Sequence, residues 1–451
     1  MDLDARYAAA GLVGLLLVGC STDKITRVAP TVTAAADAWS GGIVLLGSRS
    51  FTGPDSVPVV TVGNDTLVVQ RRGVDSVLVQ LPDTDGAISL VVRLRAGGHA
   101  NVLVSVHGFA SVRPGPPLEV NAQLYPWPDA GNPTALAIQD GRLVLLNLAS
   151  LTVSAPLAPD TGLFCHTTDY GSFAPVPSAT VPGLVTALTS CPGGAGYGRV
   201  LAVPISPAAA PPDTSPLTAA EVGVHLSRGK WLVSNGHAGL VVYARTDSVT
   251  FSQTAPNGFE AFGAVVSPRG DRVVPTFTLC GTVTGLPVYD AAGAVAYRIA
   301  NIPCASGPAT FTEAGDTLYV SGVDSLYAEV LLAVDATTGS ILARAIRSPD
   351  TLYIRASPTA GLAADPLRPF LYAAGWRDGP VLDVLDRGTL QSVASLRPPA
   401  SVTAGLDSRA NPLMGYPWTI VMNPIARRLY VVPTNKSATP EPYVFEYELM
   451  P

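Results

Sequence analysis

One unit returns five times along this chain, a tight polar turn followed by a short apolar strand, and it limits the possible folds more than any other feature. It reads Ser227-Arg228-Gly229-Lys230-Trp231-Leu232-Val233, then Ser267-Pro268-Arg269-Gly270-Asp271-Arg272-Val273-Val274. It returns as Glu313-Ala314-Gly315-Asp316-Thr317-Leu318-Tyr319-Val320, as Asp365-Pro366-Leu367-Arg368-Pro369-Phe370-Leu371-Tyr372, and as Asn423-Pro424-Ile425-Ala426-Arg427-Arg428-Leu429-Tyr430. From Leu232 through Val273, Leu318 and Leu371 to Leu429 the intervals are 41, 45, 53 and 58 residues. Four-stranded propeller blades need about 40–50 residues, so the period predicts stacked antiparallel blades.

The rest of each unit is legible too. Val330–Leu342 reads as a strand, a turn and a strand, and Val381–Leu390 followed by Ser392–Leu396 repeats it. Together with Leu429-Tyr430-Val431-Val432-Pro433-Thr434-Asn435, these residues resemble the YVTN-type propeller repeats of bacterial surface proteins. The resemblance covers residues ~220–451 well and implies a propeller over 118–451, of six or seven blades. Between Thr134 and Ile205 it weakens, with Ala135–Ile138 and Leu184–Leu188 as expected inner strands. The last blade, ending at Tyr443–Leu449, is one strand short, and Leu118–Leu124 is the expected source of the missing edge, since an open edge exposes unpaired backbone.

Upstream lies a second pattern. Apolar runs at Ile43–Leu46, Val57–Val62, Thr66–Val69, Ser76–Leu81, Ile88–Leu94 and Val102–Val106 alternate with turn residues. Short strands at this spacing predict a β-sandwich over 39–112. Gly47 with Phe51, Val59-Val60-Thr61-Val62-Gly63, Asp75–Pro82, and Gly86 followed by Leu90-Val91-Val92 resemble the IPT/TIG family of immunoglobulin-like domains. In that family the domain acts as a spacer or an interaction module. Arg113-Pro114-Gly115-Pro116-Pro117 reads as a stiff linker over 113–117. The expected architecture is therefore all-β, a small Ig-like sandwich followed by the propeller. Composition agrees: 43 Gly and 41 Pro supply turns, 47% hydrophobic residues supply cores, and only 14% are charged.

The N-terminus carries an address. An apolar run from Tyr7 to Val18 is too short to span a bilayer and has the length of a signal-peptide core. It ends at Leu17-Val18-Gly19-Cys20, which resembles the bacterial lipobox. That resemblance implies a signal peptide over 1–19, lipidation of Cys20, and a polar tether over 20–38. Ser21 after the cysteine points to the outer membrane, with the body in the periplasm or at the cell surface. The preceding Met1–Arg6 carries two acids and one base, a departure from the usual basic start. Four cysteines then remain, Cys165, Cys191, Cys280 and Cys304, and an even set in an oxidising compartment reads as disulfides. Of the three connectivities, the sequence-local one, 165–191 and 280–304, is expected.

Chemistry is harder to find. Nucleophile-elbow, HExxH and P-loop motifs are absent from the sequence. Gly193-Gly194-Ala195-Gly196-Tyr197-Gly198 lacks dinucleotide spacing, and Asp83-Thr84-Asp85-Gly86 reads as a turn, not a calcium loop. The histidines, His99, His107, His166, His225 and His237, do not pair at helical spacing. No metal or cofactor is expected. The formal charge of −6 and the scattered lysines, Lys24, Lys230 and Lys436, argue against nucleic acid.

The expected function is non-enzymatic binding or scaffolding at the cell envelope, toward a protein or glycan, with the membrane reached through the lipid anchor. The alternative is a propeller enzyme, lactonase-like or a quinoprotein, with its site at the central channel. Writing each blade as strands a to d, the a–b and c–d turns are formulaic while the b–c and d–a loops vary, so the variable face is the expected binding face. Its candidates are His237, Trp376, Arg377 and Asp378 in b–c loops, and Tyr416 and Trp418 in a d–a loop.

Overall fold

A computed structural model describes residues 32–51, 57–71, 73–84, 86–94, 98–118, 124–127, 132–139, 142–157, 176–177, 184–189, 199–204, 213–214, 222–227, 230–234, 239–244, 249–254, 260–279, 285–290, 294–302, 306–326, 328–348, 359–376, 379–403, 418–433 and 442–451. The described chain is almost wholly β, with a 3-10 turn at Arg49–Phe51 and one helical turn at Ala400–Thr403. Its described residues divide into two units: those within 32–36, 43–81 and 87–105 form one, and those within 37–42, 82–86 and 106–451 the other.

The first unit is built on two antiparallel sheets. One orders its strands Thr33–Ala34, Ile43–Gly47, Ser76–Gln80 and Val69–Arg71. The other contains Gly86–Arg93, flanked by His99–His107 and by Val59–Val62, with Asp65–Thr66 at the edge. Along these strands burial alternates, as in Ile43–Gly47 and Ser76–Gln80, so each sheet buries one face. The expected single strand Thr66–Val69 is two: Asp65–Thr66 pairs with Val59–Val62, whereas Val69–Arg71 pairs with Ser76–Gln80. The chain changes sheets at Leu67-Val68, and an apolar run alone does not report such a crossing.

Among the described residues of the second unit seven four-stranded antiparallel sheets follow one another, at 125–153, 176–214, 222–254, 260–299, 306–348, 359–396 and 419–448, the last completed by Phe109–Pro114. We number them one to seven and keep the letters a to d within each. The a strands stand side by side: Glu260–Val266 neighbours Ser306–Phe311, which neighbours Thr359–Ala364, which neighbours Thr419–Asn423. Thr419–Asn423 in turn neighbours Tyr125–Trp127 of sheet one, so the series returns on itself.

Hydrophobic clusters sit between successive sheets. Sheets six and seven share Tyr372, Leu382, Leu396, Trp418, Leu429 and Phe445, while sheets seven and one share Tyr430, Val432, Val444, Ala135 and Leu146. Leu429 and Tyr430 are adjacent yet serve opposite clusters. Both faces of a sheet are thus buried, and the strands read as continuous apolar runs; Glu329–Asp335 is buried at every position but the last. That requirement explains why so few residues are charged.

Two expectations are corrected here. The strand that completes sheet seven is Phe109–Pro114, pairing antiparallel with Tyr443–Glu448 (Val112 opposite Phe445), and not Leu118–Leu124. Residues 106–118 group with the second unit, and Arg113-Pro114 is the end of a strand. Only Gly108 separates His107 from Phe109, so no composition break marks the change. Ala135–Ile138 and Leu184–Leu188 lie in second strands, Thr134–Gln139 and Leu184–Thr189, and not in innermost ones. The first strands there, Tyr125–Trp127 and Val176–Pro177, are short and carry proline, which hides them from an apolar count.

Candidate functional site

The a–b and c–d turns share one face, and among the described residues the polar residue that opens a turn bonds the amides of that turn. At the end of strand a, Ser267 Oγ accepts hydrogen bonds from the amides of Asp271 and Arg272, and Thr312 Oγ1 from those of Asp316 and Thr317. Asp365 Oδ1 accepts from Leu367 and Arg368, and Asn423 Oδ1 from Ala426. At the end of strand c, Asn147, Asp290, Asp335 and Asp386 do the same for the amides that follow them. Hydrogen bonds from the backbone and side chain of Thr338 hold the Asp335 carboxyl below the usual carboxylate range, and Thr389 does so for Asp386. These are Asx and hydroxyl turns, which explains why the sequence repeats there.

Sheets six and seven are stapled on this face by Asp365, whose side chain is fully buried. Arg427 Nη2 donates to Asp365 Oδ2 at 2.7 Å and Nη1 to Oδ1 at 3.1 Å, while the Tyr372 hydroxyl donates to Oδ2 at 2.9 Å. Burial pushes the Asp365 carboxyl up, but the Arg427 guanidinium, the Leu367 amide and the Tyr372 hydroxyl outweigh it and hold it below the ordinary range. Burial also raises the Tyr372 phenol, with the adjacent Asp365 charge as the second cause.

On the opposite face, polar groups at the first position of strand a reach to neighbouring sheets. Ser306 Oγ donates to Pro275 O at 3.4 Å, and Thr419 Oγ1 donates to Leu124 O. The Thr359 amide donates to Glu329 Oε1 at 3.1 Å; Ser321 Oγ donates to the same oxygen, and Glu329 is fully buried. Outside these bonds lie connections of very different length, from Trp376–Pro380 to Leu396–Thr419. Among the described residues no group of three His, Cys, Asp or Glu is placed to hold a metal.

Of the expected binding-face residues, the structure describes two and brings them together. Trp376 ends strand b of sheet six, half-buried against the cluster between sheets six and seven, and Trp418 belongs to that same cluster. Trp418 is only 6% exposed and its amide donates to Ala360 O, so it is inter-sheet packing and offers little surface to a ligand. Gly379 turns the chain back after Trp376 with φ +139°, in open space. His237, Arg377, Asp378 and Tyr416 lie outside the described residues, as do Cys20, Cys165, Cys191, Cys280 and Cys304. What sequence reasoning missed is the buried trio Ser321, Glu329 and Thr359: single polar residues in apolar strands carry no motif.

The arrangement has counterparts among solved structures. One chain of the crystal structure of the mitotic checkpoint complex superposes with a TM-score of 0.50 at 10% identity, covering 76% of this chain and 92% of that one. The β-propeller domain of Myceliophteria thermophila Cps50 (Swd1) gives 0.49 at 12% identity, covering 74% and 99%. At such identities a likeness concerns the fold alone. The second unit is a β-propeller. No protein-family model and no curated protein matches the sequence.

Proposed function

We propose that this chain is a lipid-anchored envelope protein whose seven-bladed propeller, behind an Ig-like sandwich, is a non-enzymatic binding or scaffold module. The b–c/d–a face is the binding face, with Trp376 its anchor and Arg377, Asp378, His237 and Tyr416 its expected companions. The observation that carries this reading is the unequal use of polar groups on the two faces. On the a–b/c–d face the described residues that open turns, such as Asn147, Asp335, Asp386 and Asn423, bond the amides of their own turns, which leaves that face formulaic. The other face joins the same strands by loops of unequal length, and a partly buried Trp stands at the shortest loop of sheets five to seven. Trp is favoured as an interface anchor because it contributes a large area at low entropic cost. Lipidation of Cys20, an outer-membrane address and the 165–191 and 280–304 disulfides belong to the same proposal. The 280–304 bridge is proposed because in sequence Cys280 follows a b strand ending at Leu279 and Cys304 precedes an a strand beginning at Ser306.

The test is photo-crosslinking in the envelope of producing cells, with the reactive group at position 376 or at Ile425, an exposed residue of an a–b turn. A partner bound as proposed is captured from position 376 and not from 425. Capture from 425 alone contradicts the assignment of the face.

A further inference from the structure

The outward face of the first sheet in the first unit is apolar and uncharged. Ile43 is 58% exposed, Leu45 45% and Val68 64%, with Leu78 half-buried beside them. The register makes them one surface: Leu45 lies opposite Leu78, Leu78 opposite Gln70, and Ile43 opposite Gln80. The Gln80 amide donates to Val68 O, which places Val68 in the Ile43–Gln80 row. No charged side chain occurs among these six positions. A sheet face turned to water ordinarily alternates polar with buried residues, so aliphatic residues at its outward positions call for a cover.

The length and course of the preceding chain identify that cover. Thr33, in the strand beside Ile43–Gly47, lies opposite Gly47. It follows Cys20 by thirteen residues. Fully extended, such a segment reaches at most about 45 Å. If Cys20 carries the lipid, as the proposed function holds and as this inference requires, this sheet is the part of the described chain tied most closely to the bilayer. We infer that the Ile43–Leu45–Val68–Leu78 face docks on the lipid surface that holds the anchor. Aliphatic side chains with glutamine amides between them suit the boundary of acyl chains and headgroups, where apolar groups leave water while polar ones stay hydrated. Docking would give the first unit a defined seat on that surface.

The full chain, purified from membranes and reconstituted in vesicles of phosphatidylethanolamine and phosphatidylglycerol, tests this with p-benzoylphenylalanine at position 45 or at position 103. Leu103 is 69% exposed on the other sheet and serves as the control. Docking gives lipid adducts from position 45 and none from 103. Protein that is acylated and floats with the vesicles, yet gives no lipid adduct at 45, overturns the docking and leaves the anchor standing. Equal adducts at both positions overturn it as well, as do protein–protein adducts at 45, which mean that a second copy covers the face. A Cys20 without lipid, found by mass spectrometry of the membrane-derived chain, overturns anchor and docking together.

Discussion

Asp365 shows how much of this fold is settled by single side chains. Its carboxylate closes an a–b turn, receives two guanidinium bonds from the next sheet and accepts the Tyr372 hydroxyl, all in full burial. Asp365→Asn leaves the Arg427 guanidinium, itself largely buried, without a counter-charge, and a broken buried pair costs about 3–5 kcal/mol. Urea unfolding should show that loss as a lower midpoint. The same bonds set a pH dependence. Because the folded-state carboxyl is held below its ordinary range, its contribution is complete above that range and is lost as pH falls through the depressed value. Stability of the wild type should therefore fall more steeply on acidification below about pH 4 than that of Asp365→Asn. Gly361 is decisive in another way. A Cβ there would stand 2.9 Å from Ile420 Cδ1 and 3.0 Å from Trp418 O, where the a strands of sheets six and seven approach. Gly361→Ala should cost about 1–3 kcal/mol by overpacking. Gly388→Ala, with only Asp386 Oδ1 nearby at 3.6 Å, should stay within about 0.5 kcal/mol in the same denaturation assay.

Among the elements, the closing strand matters most. Phe109–Pro114 continues from His107 through Gly108, and side chains pin its register. Arg113 donates to Glu446 and to the carbonyls of Leu148 and Ala149, and Ser111 donates to Glu446. Just before it, His107 Nε2 lies 2.8 Å from Asp37 Oδ1 and Nδ1 3.4 Å from Glu448 Oε1. Residues 37–42 belong to the same unit, and Trp39 sits edge-on to Phe370 and Tyr372. Trp39→Ala should destabilise that unit by about 3–5 kcal/mol, read as a drop in its thermal transition. A chain cut at the boundary expected from sequence, 118–451, lacks both Trp39 and the closing strand. It should expose Tyr443–Glu448 as an open edge and aggregate in light scattering, whereas 32–451 should not. A stable, monodisperse 118–451 chain would show that closure is dispensable.

At the scale of the molecule, the repeating part was legible and the joining parts were not. Leu232, Val273, Leu318, Leu371 and Leu429 all fall in second strands, and before the last four a hydroxyl, carboxylate or amide turn is a local structure with a local sequence. Gly339, with φ +77° and Tyr297 2.6 Å from where a Cβ would be, marks one c–d turn; Leu390 takes the same left-handed conformation in the next without a glycine to announce it. Closure by Phe109–Pro114 joins residues more than three hundred positions apart, and no window of sequence holds both sides. The buried trio Ser321, Glu329 and Thr359 was silent for a similar reason, since its members meet only across two sheets. Trp376 could be located at a b–c turn from its flanking glycines, yet its seat on the inter-sheet cluster needed the structure.

The measurement that bears most directly on the proposed function is the affinity of the partner captured from position 376 for three purified chains: wild type, Trp376→Ala and Ile425→Ala. The account predicts that Trp376→Ala loses about 2 kcal/mol or more of binding, roughly thirtyfold in Kd, with its circular dichroism unchanged, and that Ile425→Ala binds as the wild type does. Equal affinity of all three chains, or a loss confined to Ile425→Ala, would contradict it.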